Sequence, residues 1–312
     1  MARNLVVAVG GNALIKDNNN VSTDGQEISV AETCDSLVAL IKAGYGLVVT
    51  HGNGPQVGFL LRRVELAAHE LPSIPLDILG ADTQGATGYM FVRELNGRLI
   101  ESGTGRKAVA MVTQSVVDKA DPAFQNPTKP IGSFMTEAEA KQHKEDDGWA
   151  VVSDSGRGWR RVVPSPQPKE IVEADAISEL IGNGYVVVAG GGGGIPVARE
   201  GKGLVGIEAV IDKDLASALL ANQLGVEDYV ICTAVEQVYV NFGKPDQKAL
   251  DCITVDDAKG YLAEGQFGVG SMEPKVRAAI EFLENGGKRV IITSLEKMLD
   301  ALDGKAGTTI TN

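Results

Sequence analysis

The chain has 312 residues, of which 44% are hydrophobic and 22% charged, a composition that predicts one large globular domain or two smaller ones. Its net charge of −12 disfavours nucleic acid or an anionic membrane as a partner, because both require a basic protein surface. No apolar run approaches the ~20 residues of a membrane span, and the first one, residues 5–9, is too short for a signal peptide. We therefore expect a cytoplasmic protein.

The spacing of the cysteines and the absence of known metal-binding and catalytic motifs exclude further classes of protein. Cys34, Cys232 and Cys252 are far apart and show no CxxC spacing, which is typical of reduced thiols and not of a disulfide framework or a zinc site. No HExxH, Walker or GxSxG motif is present in the sequence. We therefore expect no metal ligands from the protein itself and no hydrolase elbow.

Two apolar runs near the N-terminus both end in glycine and asparagine. Residues 5–9 run into Gly-Gly-Asn at 10–12, and residues 47–50 run into His-Gly-Asn at 51–53. Continuous apolar runs predict parallel strands buried on both faces, and helical spacing follows each turn. Open α/β folds bind ligands at the carboxyl ends of their strands, so the two turns predict one shared ligand edge. For His51 we favour a structural role over that of a catalytic base.

The composition changes between residues 118 and 169. This stretch holds six of the twelve prolines and both tryptophans. Such a long, atypical segment predicts an inserted arm or lid outside the main sheet. Within it, Lys129 lies between two nearby prolines that restrict the backbone and can aim its side chain. From the local sequence alone, an ordinary solvated lysine remains the favoured interpretation.

A run of five glycines at 190–194 is the most informative feature of the sequence. It follows the apolar run 186–189, and the charged triplet at 212–214 comes later, at the start of an Ala/Leu-rich helix. Glycines let backbone N–H groups approach an anion, a helix start adds a positive dipole, and a lysine adds a cation. The alternative is a flexible loop before an ordinary capped helix. A second lysine, Lys275, lies at the start of another predicted helix, which we expect Ser271 to cap.

These parts suit phosphoryl transfer, which depends mainly on alignment and charge neutralisation. The chain has only three histidines, and an alcohol acceptor would need a base to take its proton. A carboxylate or carbamate is already anionic at neutral pH and needs none. Lys213 and Lys275 would then relieve the repulsion between two anions, and Asp214 would position both lysines through ion pairs.

Six segments, in the same order and spread over nearly the full chain, resemble the motifs of carbamate kinases. They are AVGGNA at 8–13, HGNGPQVG at 51–58, NPTKPIG at 126–132, GGGGIP at 191–196, IDKD at 211–214 and GSMEPK at 270–275. The resemblance implies an amino acid kinase fold of the α/β class. This fold is a three-layer αβα sandwich on a mainly parallel central sheet with a small protruding arm, and it is usually homodimeric.

The resemblance also implies an organisation and a set of roles. A single domain over 1–312 would have an N-terminal lobe, 1–181, that includes the arm 118–169 and holds carbamate or carbamoyl phosphate. The C-terminal lobe, 182–312, would hold ATP or ADP with Mg²⁺. The residues expected in catalysis are Lys129, Lys213, Asp214, Lys275 and Asn12. Those expected around the phosphoryl group and carbamate are Gly10, Gly11, Gly52 and Asn53. Those expected at the nucleotide are Gly191, Gly192, Gly193, Asp212, Ala234, Tyr239, Pro245 and Met272.

The implied reaction interconverts ADP plus carbamoyl phosphate with ATP plus carbamate, in such families often the ATP-yielding step of arginine catabolism. One alternative is another acyl-phosphate-forming member, such as an acylglutamate or aspartate kinase. Its larger acceptor would call for an arginine clamp, and the arginines lie outside the glycine turns. Another alternative is a catalytically silent nucleotide-binding regulator, which we would expect to have lost a phosphate-binding lysine. A dinucleotide oxidoreductase would need a GxGxxG turn after the first strand, and residues 10–12 do not supply one.

Overall fold

The structure is a computed structural model that describes residues 3–16, 20–153 and 158–312, without the side chain of Asn12. Its α-helices are α1 (Thr23–Lys42), α2 (Gly54–Ala67), α3 (Leu76–Glu101), α4 (Glu137–Asp146), α5 (Ala174–Gly182), α6 (Lys213–Gln223), α7 (Val255–Ala263), α8 (Glu273–Glu284) and α9 (Met298–Leu302). Short 3₁₀ helices cover Gly11–Ala13, Pro122–Phe124, Gly191–Gly193 and Leu295–Lys297. Among the described residues, no helix is both long and apolar enough to cross a membrane.

The strands in the described part of the chain belong to four sheets of different size. In chain order they are β1 (Asn4–Val9), β2 (Gly46–His51), β3 (Ala108–Ala110), β4 (Gln114–Val117), β5 (Lys129–Met135), β6 (Ala150–Ser153), β7 (Trp159–Val163), β8 (Pro168–Ile171), β9 (Val186–Val188), β10 (Ile195–Glu200), β11 (Gly203–Gly206), β12 (Asp228–Cys232), β13 (Val238–Val240), β14 (Lys248–Leu250), β15 (Cys252–Thr254), β16 (Arg289–Thr293) and β17 (Thr308–Thr311).

The central sheet has eight strands in the order β15-β17-β16-β12-β1-β2-β9-β3. Its neighbours pair in parallel, apart from the antiparallel pair β16–β17. The parallel arrangement brings the carboxyl ends of β1, β2 and β9 to one edge of the sheet. The turns predicted from sequence at the ends of these strands are therefore neighbours.

Strand β1 shows why its apolar run is continuous. Leu5, Val7 and Val9 pack into a core with residues of α1, α3 and α9. Val6 and Ala8 point the other way, into a core with residues of α5, α6 and α8. A strand in the middle layer has no face left for polar side chains. The predicted three-layer αβα sandwich on a mainly parallel sheet is confirmed.

The arm forms a separate sheet. Strands β5, β7 and β6 pair antiparallel in that order, and α4 lies between β5 and β6 in the chain. Helix α4 begins with a capping box in which Thr136 and Glu139 satisfy each other's backbone N–H groups. Strand β8, at the end of the predicted segment 118–169, joins a different sheet with β4. The predicted arm outside the main sheet is confirmed, while the division into two lobes at 181/182 stays a prediction.

All three cysteines are free thiols, as the sequence predicts. Cys34 and Cys232 are buried, and burial raises the pKa of each thiol to about 12. A thiol with so high a pKa is almost entirely protonated at neutral pH and is a poor nucleophile. These two cysteines therefore contribute to packing.

We expect Phe282→Ala to lower the free energy of unfolding by about 3–5 kcal/mol, because the substitution leaves a cavity under α8. Phe282 is fully buried, and its ring meets Tyr229 edge-on with the centroids 5.6 Å apart. Urea denaturation measures the change. Phe242→Ala is the matched control, since this ring is 65% exposed, and we expect its effect to stay within about 0.5 kcal/mol. Equal losses for both variants would contradict this description of the core.

Candidate active site

A buried carboxylate joins the two helix-start lysines. Nζ of Lys213 lies 2.5 Å from Oδ1 of Asp214, and Nζ of Lys275 lies 3.0 Å from Oδ2. Lys213 and Asp214 are in the first turn of α6, whereas Lys275 comes from the first turn of α8. Each carboxylate oxygen therefore holds one ammonium group, as the sequence predicts for Asp214.

The electrostatics of this cluster keep it charged. Burial alone would raise the pKa of Asp214, but the charges and hydrogen bonds of Lys213 and Lys275 outweigh it and lower the pKa to about 2. The carboxylate is only 3% exposed, so its ion pairs are poorly screened by water. The cluster of two ammonium groups and one carboxylate therefore carries a net positive charge, which can attract an anion.

Helix α8 starts later than the sequence suggests. Met272 occupies the cap position without a side-chain hydrogen bond, and the expectation that Ser271 caps the helix is wrong. The hydroxyl of Ser271 instead donates a hydrogen bond to the carbonyl of Gly268, 3.1 Å away, within the turn that precedes α8. It is therefore not available to cap the helix. Lys275 still lies in the first turn and reaches Asp214 from there.

The two N-terminal glycine turns converge on Lys213. A Cβ placed on Gly52 would lie 3.7 Å from Cδ of Lys213 and 3.9 Å from the backbone nitrogen of Gly11. A Cβ on Gly10 would lie 3.2 Å from the carbonyl oxygen of Cys232. A side chain at Gly52 would occupy the space beside the stem of Lys213, and one at Gly10 would press on the backbone at the end of β12. Glycine keeps backbone N–H groups accessible there.

The glycine run is buried and packs against protein side chains. Gly192 has φ of +66°, and a Cβ on it would lie 2.2 Å from Nδ2 of Asn53. A Cβ on Gly191 would likewise clash with the ring of His51, and a Cβ on Gly193 would clash with Ile211. The run therefore lies beside Asn53, while the parts that Gly191, Gly192 and Gly193 play in nucleotide binding stay predictions. The side chain of Asn12 lies outside the described part of the structure, so its predicted role stays untested.

Two residues of α3 that the sequence did not single out support these turns. Thr83 accepts a hydrogen bond from Nδ2 of Asn53 at 2.9 Å. Gln84 accepts from the backbone N–H of Thr113 at 2.7 Å and donates to the carbonyl of Gly191 at 2.9 Å. Both side chains are at least 95% buried. The local sequence does not distinguish these two residues from other polar residues of α3, because their burial depends on the packing of the helix.

His51 has contacts that stabilise the turn. Its Nδ1 is 2.9 Å from the carbonyl oxygen of Gly52, and its ring stacks on Phe91 with centroids 5.8 Å apart. Burial, the largest effect, lowers the pKa of His51 to about 4. The imidazole is therefore neutral at neutral pH, and because the carbonyl oxygen of Gly52 can only accept, the single ring proton lies on Nδ1.

A cavity of about 530 Å³ opens beside the lysine cluster. Its lining includes Gly10, Gly11 and Lys275, and also Ala234, Tyr239 and Met272. Its volume lies within the usual range for small-molecule sites of about 300–1,000 Å³. Three of the predicted nucleotide residues are thus brought together with the glycine turn. Pro245 is not among the lining residues and lies in the turn between β13 and β14.

The two carboxylate oxygens of Asp212 have different partners within the protein. Its Oδ1 accepts from the backbone N–H groups of Asp214 and Leu215 at 2.9 and 3.3 Å, which makes it the N-cap of α6. Its Oδ2 is 2.9 Å from Nζ of Lys129. The arm lysine therefore forms an ion pair beside the cluster, and the interpretation as an ordinary solvated lysine is wrong. A nucleotide-binding role for Asp212 stays a prediction.

Comparison with known proteins gives a consistent set of relatives. Residues 3–294 match the model of the amino acid kinase family. The carbamate kinase of Thermococcus kodakarensis is 46% identical over 99% of both chains, and the carbamate kinase-like protein YahI of Escherichia coli is 49% identical over 98% of both. The structure of a carbamate kinase from Giardia lamblia bound to AMP-PNP superposes with a TM-score of 0.94 at 44% identity, covering 99% of this chain and 98% of the other.

The low pKa of Asp214 predicts a pH-dependent contribution to stability. Since the folded pKa of about 2 lies below the ordinary value of 3.8, the contribution is present above pH 4 and is lost as the pH falls towards 2. We expect the unfolding free energy of the protein relative to Asp214→Asn to fall by about 2 kcal/mol over that range. Urea denaturation at stepped pH measures it.

Asp300→Asn serves as the control for the pH measurement, because this carboxylate is 52% exposed and pairs loosely with Lys297 at 3.7 Å. An exposed pair contributes little to stability, so its difference from the unmodified protein should stay nearly constant with pH. The same constancy in Asp214→Asn would contradict the ionised state assigned to Asp214.

Proposed function

The chain belongs to the amino acid kinase family and, within it, to the carbamate kinases, and from this premise we propose how its residues share the phosphoryl transfer. The overall reaction is reversible transfer between ATP and carbamate. In the ATP-forming direction, an oxygen of the ADP β-phosphate forms a bond to the phosphorus of carbamoyl phosphate. The bond from that phosphorus to the carbamoyl oxygen breaks, and carbamate leaves with its negative charge, so no general base is required.

One observation carries this proposal: Asp214 holds two ammonium groups where the glycine turns converge. In our proposal Lys213 and Lys275 neutralise the charge that repels the two anionic reactants, and Asp214 acts only through these lysines. The ion pairs fix both cations before substrate arrives, and preorganised charge of this kind lowers the barrier most effectively. With both oxygens already occupied, Asp214 is unsuited to serve as a base.

The glycine turns supply the remaining contacts in this proposal. Backbone N–H groups at Gly10, Gly11 and Gly52 would surround the transferring phosphoryl group, together with the side chain of Asn12. Asn53 would contact carbamate or carbamoyl phosphate, held in place by Thr83. Lys129 would approach the same substrate from the arm. The contact between Gly192 and Asn53 supports an indirect role for the glycine run, through the shape of this turn.

The cavity is our proposed nucleotide site. Ala234, Tyr239 and Met272 would surround the adenine, and the chain of phosphates would extend towards Gly10, Gly11 and Lys275. AMP-PNP in the Giardia lamblia relative supports a nucleotide as the ligand. We propose that Mg²⁺ arrives with the nucleotide, because it is commonly held by substrate phosphates and water with few protein carboxylates. Asp214 is a poor candidate for a ligand, since both its oxygens accept from lysines.

A homodimer is also a proposal. Helix α3 exposes Ile78, Tyr89 and Ile100, with exposed fractions of 48%, 61% and 80%. Their spacing of eleven residues places them on one side of the helix. Exposed apolar side chains on one side of a helix support self-association, and light scattering coupled to gel filtration would test it. The ATP-yielding direction and a place in arginine catabolism are proposed from the resemblance alone.

We expect Gly192→Ala to raise KM for carbamoyl phosphate about tenfold, because the new methyl group would displace Asn53 from its place in the turn. The affinity for ADP should change little, since Gly192 is not among the residues lining the cavity. Steady-state kinetics and calorimetry measure the two quantities. Gly85→Ala is the control, as a Cβ there meets nothing within 4 Å. A selective loss of ADP binding in Gly192→Ala would instead assign the run to the nucleotide.

The proposed function is tested by ATP formation from ADP and carbamoyl phosphate with Mg²⁺, with acetyl phosphate as the competing donor. We expect rapid turnover with carbamoyl phosphate and little with acetyl phosphate. Lys213→Ala should lower kcat by a factor of about 10²–10³, which also excludes a contaminating kinase as the source of ATP. ADP binding without turnover would favour the silent regulator, and turnover with acetyl phosphate alone would favour a relative with another acceptor.

A further inference from the structure

The segment 208–212 just before α6 forms a docking site for the arm, which we call the arm seat. Its alternate residues contact the arm. Glu208 lies 3.7 Å from the guanidinium of Arg161, and the backbone N–H of Val210 donates to the carbonyl of Pro164 at 3.0 Å. The third contact is the ion pair between Asp212 and Lys129. Contacts at three alternate positions therefore connect the arm to the segment that leads into α6.

The residues in between face the protein interior. Ala209 and Ile211 are 2% and 1% exposed, and Ile211 belongs to the core that includes α6. Gly193 of the glycine run packs directly on Ile211. The backbone of the arm seat is thus anchored in the core.

Asp212 is the most constrained of the outward residues. One carboxylate oxygen is held by two backbone N–H groups at the start of α6, which leaves the other oxygen for Lys129. The Asp212 side chain is 14% exposed and that of Lys129 is 35% exposed, so the pair is only partly screened by water. The next residue in the chain is Lys213, and the arm lysine is therefore held at the helix end that carries the cluster.

We propose that Asp212 is a positioning residue that sets the place of the Lys129 ammonium group relative to Lys213 and Asp214. This inference rests on the proposed function, because it concerns how the arm lysine meets carbamoyl phosphate. Asp212 itself touches neither substrate nor nucleotide in this scheme. Its carboxylate holds Lys129 in the free enzyme, so that substrate meets a cation already in place and not one on a freely rotating side chain.

The variant Asp212→Asn separates this role from capping. Asparagine caps helices about as well as aspartate, so Oδ1 can still accept from the backbone while the charge facing Lys129 is lost. We expect KM for carbamoyl phosphate to rise about three- to tenfold in Asp212→Asn and in Lys129→Ala. The double variant should be no worse than Lys129→Ala alone, because a positioning residue has no effect once its lysine is gone.

Glu208→Gln is the matched control. It makes the same carboxylate-to-amide change in the same segment, but Glu208 is 59% exposed and faces Arg161, not the cluster. We expect KM within about twofold of the unmodified enzyme, because the pair is long at 3.7 Å and its carboxylate is well exposed to water. An unchanged KM in Asp212→Asn would overturn the proposal. A lower KM would overturn it too, since it would mean that Asp212 competes with substrate for the ammonium group.

Additive effects of the two substitutions on KM would likewise overturn it, by showing that Asp212 acts on substrate independently of Lys129.

If the unmodified enzyme shows no turnover, the proposed function fails, and the same set of variants is compared by thermal unfolding midpoint. The ion pair then predicts that Asp212→Asn lowers the midpoint less in the Lys129→Ala background than alone. Equal shifts in both backgrounds would show that the pair does not position the lysine.

Discussion

The buried ion pairs of Asp214 are the interaction on which the rest of the site depends. One carboxylate with 3% exposure fixes two lysines from different helices, and each helix is packed on the central sheet. Removing such a carboxylate would leave two ammonium groups facing each other in a poorly hydrated space, a costly arrangement. The position of α8 relative to α6 is therefore tied to the charge balance of the site, and phosphoryl transfer depends on that same balance.

The arm is held to this centre through close backbone contacts as well as charge. Gly58 in α2 lies beside Gly132 in β5, and a Cβ on Gly58 would be in van der Waals contact with Cα of Gly132 at 3.7 Å. Gly132 also has φ of +70°, which disfavours other residues there. Two motifs more than seventy positions apart in the sequence therefore contact each other through their backbones. Together with the arm seat, this contact places Lys129 at the end of α6.

Much of the fold could be predicted from sequence, because local patterns encode it. The apolar run of β1 predicted a strand buried on both faces, and the prolines and tryptophans of 118–169 predicted an arm. Boundaries were less certain: Ser271 was expected to cap α8, but its hydroxyl bonds within the preceding turn. In the site, Asp214 was predicted as the partner of both lysines. Gln84 was missed, because its partners at Thr113 and Gly191 are distant in sequence.

The sequence by itself determined which chemical groups are available: glycine turns after buried strands, lysines at helix starts and too few histidines for acid–base chemistry. These are properties of neighbouring residues, and neighbouring residues govern backbone freedom, helix dipoles and charge. Only the tertiary structure decided which groups meet. It placed the glycine run against Asn53. It also placed Asp212 where its carboxylate caps α6 and pairs with Lys129. The physical reason is that contacts between distant segments depend on how the layers pack, and no local pattern records that packing.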